Sequence, residues 1–172
     1  KPLKMTHTQV SNGPRSAKNI PGYANGYVYS DSLHKYILAD SQKSGWRSYF
    51  SGINGEGMII TTTGDLLKWD RALKNHTLLT ETTQQEMVTS HSEKKFPAVS
   101  FGYGIRVGKN DVENYVFHNG YYPGYVCMHL RYIDDDVTVI VLSNNESHSE
   151  FIADGLAAIT LNKNILLPYV HK

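Results

Sequence analysis

The hydrophobic pattern changes three times along the chain. Residues 1–56 carry short apolar pieces, Tyr27-Val28-Tyr29 and Tyr36-Ile37-Leu38, between turn signals at Asn12-Gly13-Pro14, Pro21-Gly22, Asn25-Gly26 and Ser44-Gly45. This predicts an irregular excursion holding short strands, of the kind that forms a wall or lid of a site. From Gly57 to residue 95 the pattern turns helical. Thr62 is a good N-cap, Asp65 follows in the first turn, and Leu66, Trp69 and Leu73 share a face. A second helix is expected to start at Thr80, with Met87 and Val88 inward. From residue 100 to 144 the period is 2: Phe101, Tyr103, Ile105 and Val107 alternate with smaller or polar neighbours. Tyr115-Val116-Phe117, Tyr125 to Ile133 and Val137 to Leu142 follow, with turns between them, and this reads as an antiparallel meander. Val137 to Leu142 is apolar on both faces, so both sides of the sheet need cover. One last helix, near 149–163, is expected to turn Phe151, Ile152, Leu156 and Ile159 inward and to cover one side. The fold class is α+β, an antiparallel sheet packed with helices.

Composition narrows the classes. The chain has 172 residues, 40% of them hydrophobic and 19% charged, which excludes a disordered chain. Its apolar runs fall far short of the roughly 20 residues of a membrane helix. A formal net charge of +1 gives no basic field for nucleic acid. The single cysteine, Cys127, excludes an internal disulfide and a CxxC site, and reads as a small core residue on a strand. The eight histidines show no metal-binding spacing, and Asp134-Asp135-Asp136 reads as a solvated turn rather than a calcium loop. No metal and no cofactor is expected.

The segment with most chemical content is Phe117-His118-Asn119-Gly120-Tyr121-Tyr122-Pro123-Gly124-Tyr125. A strand ends in a polar pair and a glycine, turns at Pro-Gly and starts again. Gly120 would let a ligand or another backbone come close, and the Tyr121 N–H could serve as an oxyanion donor. The same residues also describe a plain hairpin with a tight turn.

Several pieces together resemble the serine β-lactamase-like, penicillin-binding family. Pro2-Leu3-Lys4-Met5-Thr6-His7-Thr8 resembles its "PLGM-x-x-T" segment, and Gly57-Met58-Ile59-Ile60-Thr61-Thr62-Thr63-Gly64-Asp65-Leu66 resembles its "GGLVSTA-x-DL" segment. Tyr103-Gly104-Ile105, His118-Asn119-Gly120, Pro123-Gly124-Tyr125 and Val139 to Asn144 follow in the family's order. The resemblance implies that 1–172 is the C-terminal portion of one β-lactamase/transpeptidase-like domain. It also implies a site built from Ser-x-x-Lys, Tyr-x-Asn or Tyr-x-Ser, and Lys-Thr-Gly or His-x-Gly. The first two precede the "PLGM" segment in the family, and His118-Asn119-Gly120 is the third. The implied roles are His118, Asn119 and Gly120 as substrate-binding residues and the Tyr121 N–H as half of an oxyanion hole. A neutral histidine in place of lysine holds a substrate carboxylate less strongly, which favours ester, amide or D-amino-acid peptide chemistry over β-lactam hydrolysis.

Ser32-Leu33-His34-Lys35 and Ser92-Glu93-Lys94-Lys95 fit Ser-x-x-Lys, but about one such match is expected by chance and neither opens an apolar helix. Tyr23-Ala24-Asn25 fits Tyr-x-Asn but follows the "PLGM" segment. The expectation is a serine hydrolase acting through an acyl-enzyme on a small-molecule or peptide substrate, with the nucleophile in an N-terminal part. This chain alone is expected to be inactive, and to pair with that N-terminal part or a second copy. By the resemblance, the location is the bacterial periplasm, or extracellular at the cell envelope. Two other readings stand beside it: a noncatalytic binding module using the same cleft, and an unrelated α+β domain with a structural hairpin.

Overall fold

The computed structural model describes residues 2–10, 20–39, 57–92, 99–109, 114–146 and 148–163. The elements run β1 (Gln9–Val10), β2 (Tyr27–Ser30), β3 (Lys35–Leu38), β4 (Ile59–Ile60), α1 (Thr63–Lys74), α2 (Glu81–Val88), β5 (Val99–Phe101), β6 (Arg106–Lys109), β7 (Asn114–Tyr122), β8 (Tyr125–Tyr132), β9 (Val137–Ser143) and α3 (Ser149–Leu161). The architecture is α+β. Strands β5 to β9 form one antiparallel sheet in sequence order, while β1 pairs with β4 and β2 with β3.

Both predicted caps are present. The Thr62 hydroxyl accepts from the Asp65 N–H at 3.2 Å and the Thr80 hydroxyl from the Thr83 N–H at 3.2 Å, each satisfying a donor the helix itself leaves open. The Asp65 carboxylate turns to the chain's first segment. It accepts from the His7 N–H at 2.8 Å, the Thr8 hydroxyl at 2.9 Å and Lys68 Nζ at 2.6 Å. The "PLGM"-like and "GGLVSTA"-like segments thus meet at one buried acid, and β1–β4 closes the same junction.

The segment near 100–107 is not one strand. Gly102 to Ile105 forms a turn, with the Gly102 N–H on the Ile105 carbonyl at 2.9 Å, so this segment supplies two strands, β5 and β6, of a five-stranded sheet. Gly104 sits at φ +68°, where the alternating pattern must break. The end of α2 holds this turn, because the Tyr103 N–H donates to the Met87 carbonyl.

Even residues of β8 pack with odd residues of β7 and β9 into the main core: Tyr115, Phe117, Met128, Leu130, Tyr132 and Val139, against Ala153 and Ala157 of α3. This corrects the expected face of α3. Phe151, Ile152 and Leu156 are about half exposed and Ile159 is 80% exposed, whereas Ala153 and Ala157 are fully buried. Three large rings already fill the sheet side, so close packing admits only small side chains from the helix.

The opposite face of β9 is not left to solvent either. Helix α1 lies there, with Asp70 accepting from the Thr138 hydroxyl at 2.9 Å. The Asp134–Asp136 turn is exposed, as the sequence implied, and two of its carboxylates are also paired. Asp136 pairs with Arg71 and Lys74 of α1, and Asp135 with Lys163 beyond α3, so the turn clamps both helices to the sheet.

Candidate functional site

The hairpin β7–β8 sits at the middle of the five-stranded sheet. Its turn, Tyr122-Pro123-Gly124-Tyr125, has two central residues, and Gly124 adopts φ +83°. A two-residue turn makes Tyr122 and Tyr125 a pair that exchanges both peptide hydrogen bonds. Even residues of β7 therefore bond across to β8, and the peptide groups of Asn119 and Tyr121 face the other edge. Strand β6 covers that edge only from Asn114 to Phe117, its last pair being Arg106↔Phe117. Beyond Phe117 no strand among the described residues pairs with it. The Tyr121 N–H thus points to an open strand edge, as an oxyanion donor would need to.

The side chains divide between two faces. His118 and Gly120 lie on the α1 face, opposite His129 and Cys127. Asn119 and Tyr121 project from the α3 face, opposite Met128 and Val126. His118 is exposed, Asn119 half-buried. The four sequence-predicted residues therefore share one strand end but not one face, and Asn119 offers the open edge its peptide groups. The Tyr121 ring is 69% exposed, and its hydroxyl donates to Glu146 Oε1 at 2.7 Å, which holds the phenol above its ordinary range.

Gly120 has a packing reason of its own. A Cβ built there would stand 2.8 Å from Cys127 Sγ. Burial raises the Cys127 thiol above its ordinary range, against the opposing pull of the Gly120 N–H.

The excursion caps the hairpin tip. Tyr23 and Tyr125 share a hydroxyl hydrogen bond of 2.5 Å, the Tyr125 hydroxyl reaches the Ala24 carbonyl at 2.9 Å, and Asn144 Nδ2 donates to the Asn25 carbonyl at 2.9 Å. A Cβ on Gly124 would meet Ala39 Cβ at 2.7 Å, and one on Gly26 the Tyr125 ring at 2.5 Å. Tyr23-Ala24-Asn25 therefore packs on the tip of the hairpin.

Neither Ser-x-x-Lys match is built as a nucleophile. Ser32 lies in the β2–β3 turn, its Oγ 3.2 Å from that of Ser30, and Lys35 opens an exposed strand. The Ser92 hydroxyl accepts from the Phe101 N–H at 2.9 Å, and Glu93 to Lys95 fall outside the described residues. Among the described residues no three His, Cys, Asp or Glu side chains converge to hold a metal.

The pattern of apolar residues concealed one cluster. Asp70, fully buried in α1, accepts from Thr138 and lies 3.2 Å from His129 Nε2 and 3.9 Å from Arg131 Nη1. Burial opposes its charge, but the hydrogen bonds from His129 and Thr138 and the nearby Arg131 charge win, and its carboxyl is held below the ordinary range. The signal available in sequence was an acid one residue after Trp69, on a face otherwise apolar.

Known proteins share this fold. A family profile described as Beta-lactamase matches residues 1–162. Penicillin-binding protein 4* of Bacillus subtilis (strain 168) is 31% identical over 152 residues, which is 87% of this chain and 34% of that protein. Among solved structures, the octameric penicillin-binding protein homologue from Pyrococcus abyssi superposes with a TM-score of 0.78 at 20% identity, covering 95% of this chain and 36% of that one. The D-amino acid amidase from Ochrobactrum anthropi SV3, solved with D-phenylalanine, gives 0.66 at 23% identity, covering 94% and 50%. The chain thus spans about a third to a half of the length of these relatives. With its "PLGM"-like junction, its sheet and its His118-Asn119-Gly120 strand in the family's order, the chain belongs to the beta-lactamase family.

Proposed function

We propose that this chain forms one wall of the cleft of a serine hydrolase acting on amide or ester bonds, with the nucleophile supplied from outside these 172 residues. The observation that carries the reading is the open edge of β7 beyond Phe117, where the Tyr121 N–H faces outward beside His118. A serine attacking a carbonyl seated against that edge would develop negative charge on the carbonyl oxygen, and the Tyr121 N–H would be half of the oxyanion hole. The acyl-enzyme so formed would be released by water. His118 would contact the substrate from the α1 face, and Gly120 would keep the strand end slim. Family membership supports the reading, as does the amidase among the structural neighbours.

The substrate on this proposal is a small amide, ester, β-lactam or D-amino-acid peptide. The partner that completes the cleft is an N-terminal part of the same protein or a second copy. The setting is the cell envelope or periplasm. Intact-mass measurement after treatment with a fluorophosphonate or a labelled penicillin tests the assignment. The chain alone should remain unlabelled, and a protein that also carries the missing Ser-x-x-Lys should gain one adduct. Stoichiometric labelling at Ser32 or Ser92 would overturn the placement of the nucleophile. A complete protein that binds the penicillin reversibly with no adduct would make this a binding module.

A further inference from the structure

We propose that Arg106 is an anion-binding residue at the mouth of the cleft, and that it favours substrates whose carboxylate lies about 10 Å from the reacting carbonyl. The inference deepens the hydrolase reading and rests on it for the substrate, though not for the anion site itself. Arg106 is the first residue of β6. It pairs with Phe101 of β5 on one side and with Phe117 of β7 on the other. Contact confirms the row that the register sets: the guanidinium carbon lies 5.5 Å from the centre of the Phe101 ring and 5.8 Å from that of Phe117.

Two phenyl rings hold a cation without satisfying it. They attract its charge through their faces, but a guanidinium also carries five N–H donors in its own plane. Among the described residues no carboxylate lies within ion-pair distance of Arg106 and no acceptor takes a hydrogen bond from it. The other two arginines of the described residues are held differently, Arg71 by Asp136 and Arg131 beside Asp70. Arginine keeps its charge at any working pH, and its fork of donors matches a carboxylate with two parallel hydrogen bonds. Asn119 lies two residues past Phe117 on the same sheet face, half-buried, and its side chain makes no hydrogen bond among the described residues. Uncommitted donors therefore stand on one face of two neighbouring strands.

The place of Arg106 gives the charge its use. Strand β6 starts its pairing with β7 at Arg106, so the open edge of β7 begins beside this residue. The tip of the β5–β6 hairpin is tied to α2 by the Tyr103 N–H on the Met87 carbonyl at 2.9 Å. A substrate laid extended along the open edge, with its carbonyl at the Tyr121 N–H, has one end directed at Arg106. Phe117 and Tyr121 are four residues apart on one strand, about 13 Å at the rise of a strand. That leaves about three residues' length between the reacting carbonyl and an anion on the guanidinium.

The test compares substrates within one preparation of the complete protein, so that the folded fraction cancels. A succinyl-D-alanyl-D-alanyl thioester carries its carboxylate about 10 Å from the reacting carbonyl, and its succinamoyl counterpart carries a neutral amide there. A second pair carries the same two groups on the leaving arm. In one of the pairs the parent should favour the acid about tenfold in kcat/KM at low salt, and less in about 0.5 M salt. Arg106→Gln should bring the ratio to about one. Arg106→Lys, which keeps the charge but not the planar fork, should keep part of it. A ratio near one in the parent, for both pairs, overturns the proposal without need of a variant. So does an undiminished ratio in Arg106→Gln. If no thioester is turned over, the Arg106 Nε–H resonance is followed while succinyl-D-alanyl-D-alanine amide or its succinamoyl counterpart is added. A shift with the acid alone keeps the anion site while the hydrolase assignment falls, and no shift with the acid overturns the site.

Discussion

Gly120 and Cys127 face each other across β7 and β8 so closely that a single methyl group on the glycine would stand 2.8 Å from the cysteine sulfur. Gly120→Ala should therefore destabilise the protein by about 1–3 kcal/mol through overpacking. Cys127→Gly in the same chain should return most of that loss. Denaturant melts of the two single variants and the double variant give the coupling energy. Equal loss with and without the sulfur would assign the glycine to the backbone or the ligand instead.

His118→Ala, in the complete protein, should lower kcat/KM by about tenfold or more while the melting temperature stays within about 2 °C. An exposed ring held by no hydrogen bond among the described residues contributes little to stability. Kinetics and thermal melts measured on one preparation check this. A large fall in melting temperature with unchanged turnover per folded molecule would make His118 a structural residue.

Tyr115 predicts an alkaline limit. Its ring is fully buried, and its hydroxyl has no hydrogen-bond partner among the described residues. Burial first, and then the charge of Asp154, push the phenol up to about 12. An unfolded tyrosine ionises near 10, so the folded state holds this proton more tightly than the unfolded one. Stability is intact below pH 10 and falls as pH rises through 12, by about 3 kcal/mol over that window. Tyr115→Phe should lack this component, and should be as stable as the parent at neutral pH because no hydrogen bond is lost. Urea melts of both proteins from pH 8 to pH 11 check it, and parallel curves would refute it.

The outward side of α3 predicts association. Ile152, Leu156 and Ile159 form an exposed apolar stripe on a helix whose other side is seated on the sheet. Such a surface drives contact with another part of the protein or another copy. The 172-residue chain should elute above the mass of a 19.4 kDa monomer in size-exclusion chromatography with light scattering. Ile152→Gln, Leu156→Gln and Ile159→Gln together should bring it back to monomer. A cooperative, unassociated monomer in the parent would remove the need for a partner on this face.

What the sequence disclosed depended on which force set each element. Thr62 and Thr80 were legible as caps because hydroxyl capping is local chemistry. The hairpin at Pro123-Gly124 was legible because turn geometry demands those residue types. The face of α3 was not, since the large rings of Tyr115, Phe117 and Tyr132 come from distant strands and decide that only alanine fits opposite them. The split of residues 99–109 was hidden because Tyr103 and Ile105 continue a period of 2 through a turn that the Met87 carbonyl stabilises from another element. Asp70 was hidden for a similar reason. A carboxylate on an inward helix face reads as an error until His129, Arg131 and Thr138 arrive from β8 and β9. Of the site, the motif residues were visible by type, but their division between two sheet faces required the register.

The hydroxyl contact between Tyr23 and Tyr125 has a kinetic side. The two residues are 102 positions apart in sequence, whereas the hairpin they close is itself among the most local structures in the chain. A contact of such long range forms only after a large loop has been closed, whereas a two-residue hairpin zips in microseconds. The strand end bearing His118 to Tyr121 should thus acquire its strand pairing early and its lid late. In that order, the last step of maturation is the seating of residues 23–27 on the turn. Amide protection at Tyr27, whose N–H donates to the Asn144 carbonyl, would then lag behind protection at Tyr122 and Tyr125 during refolding.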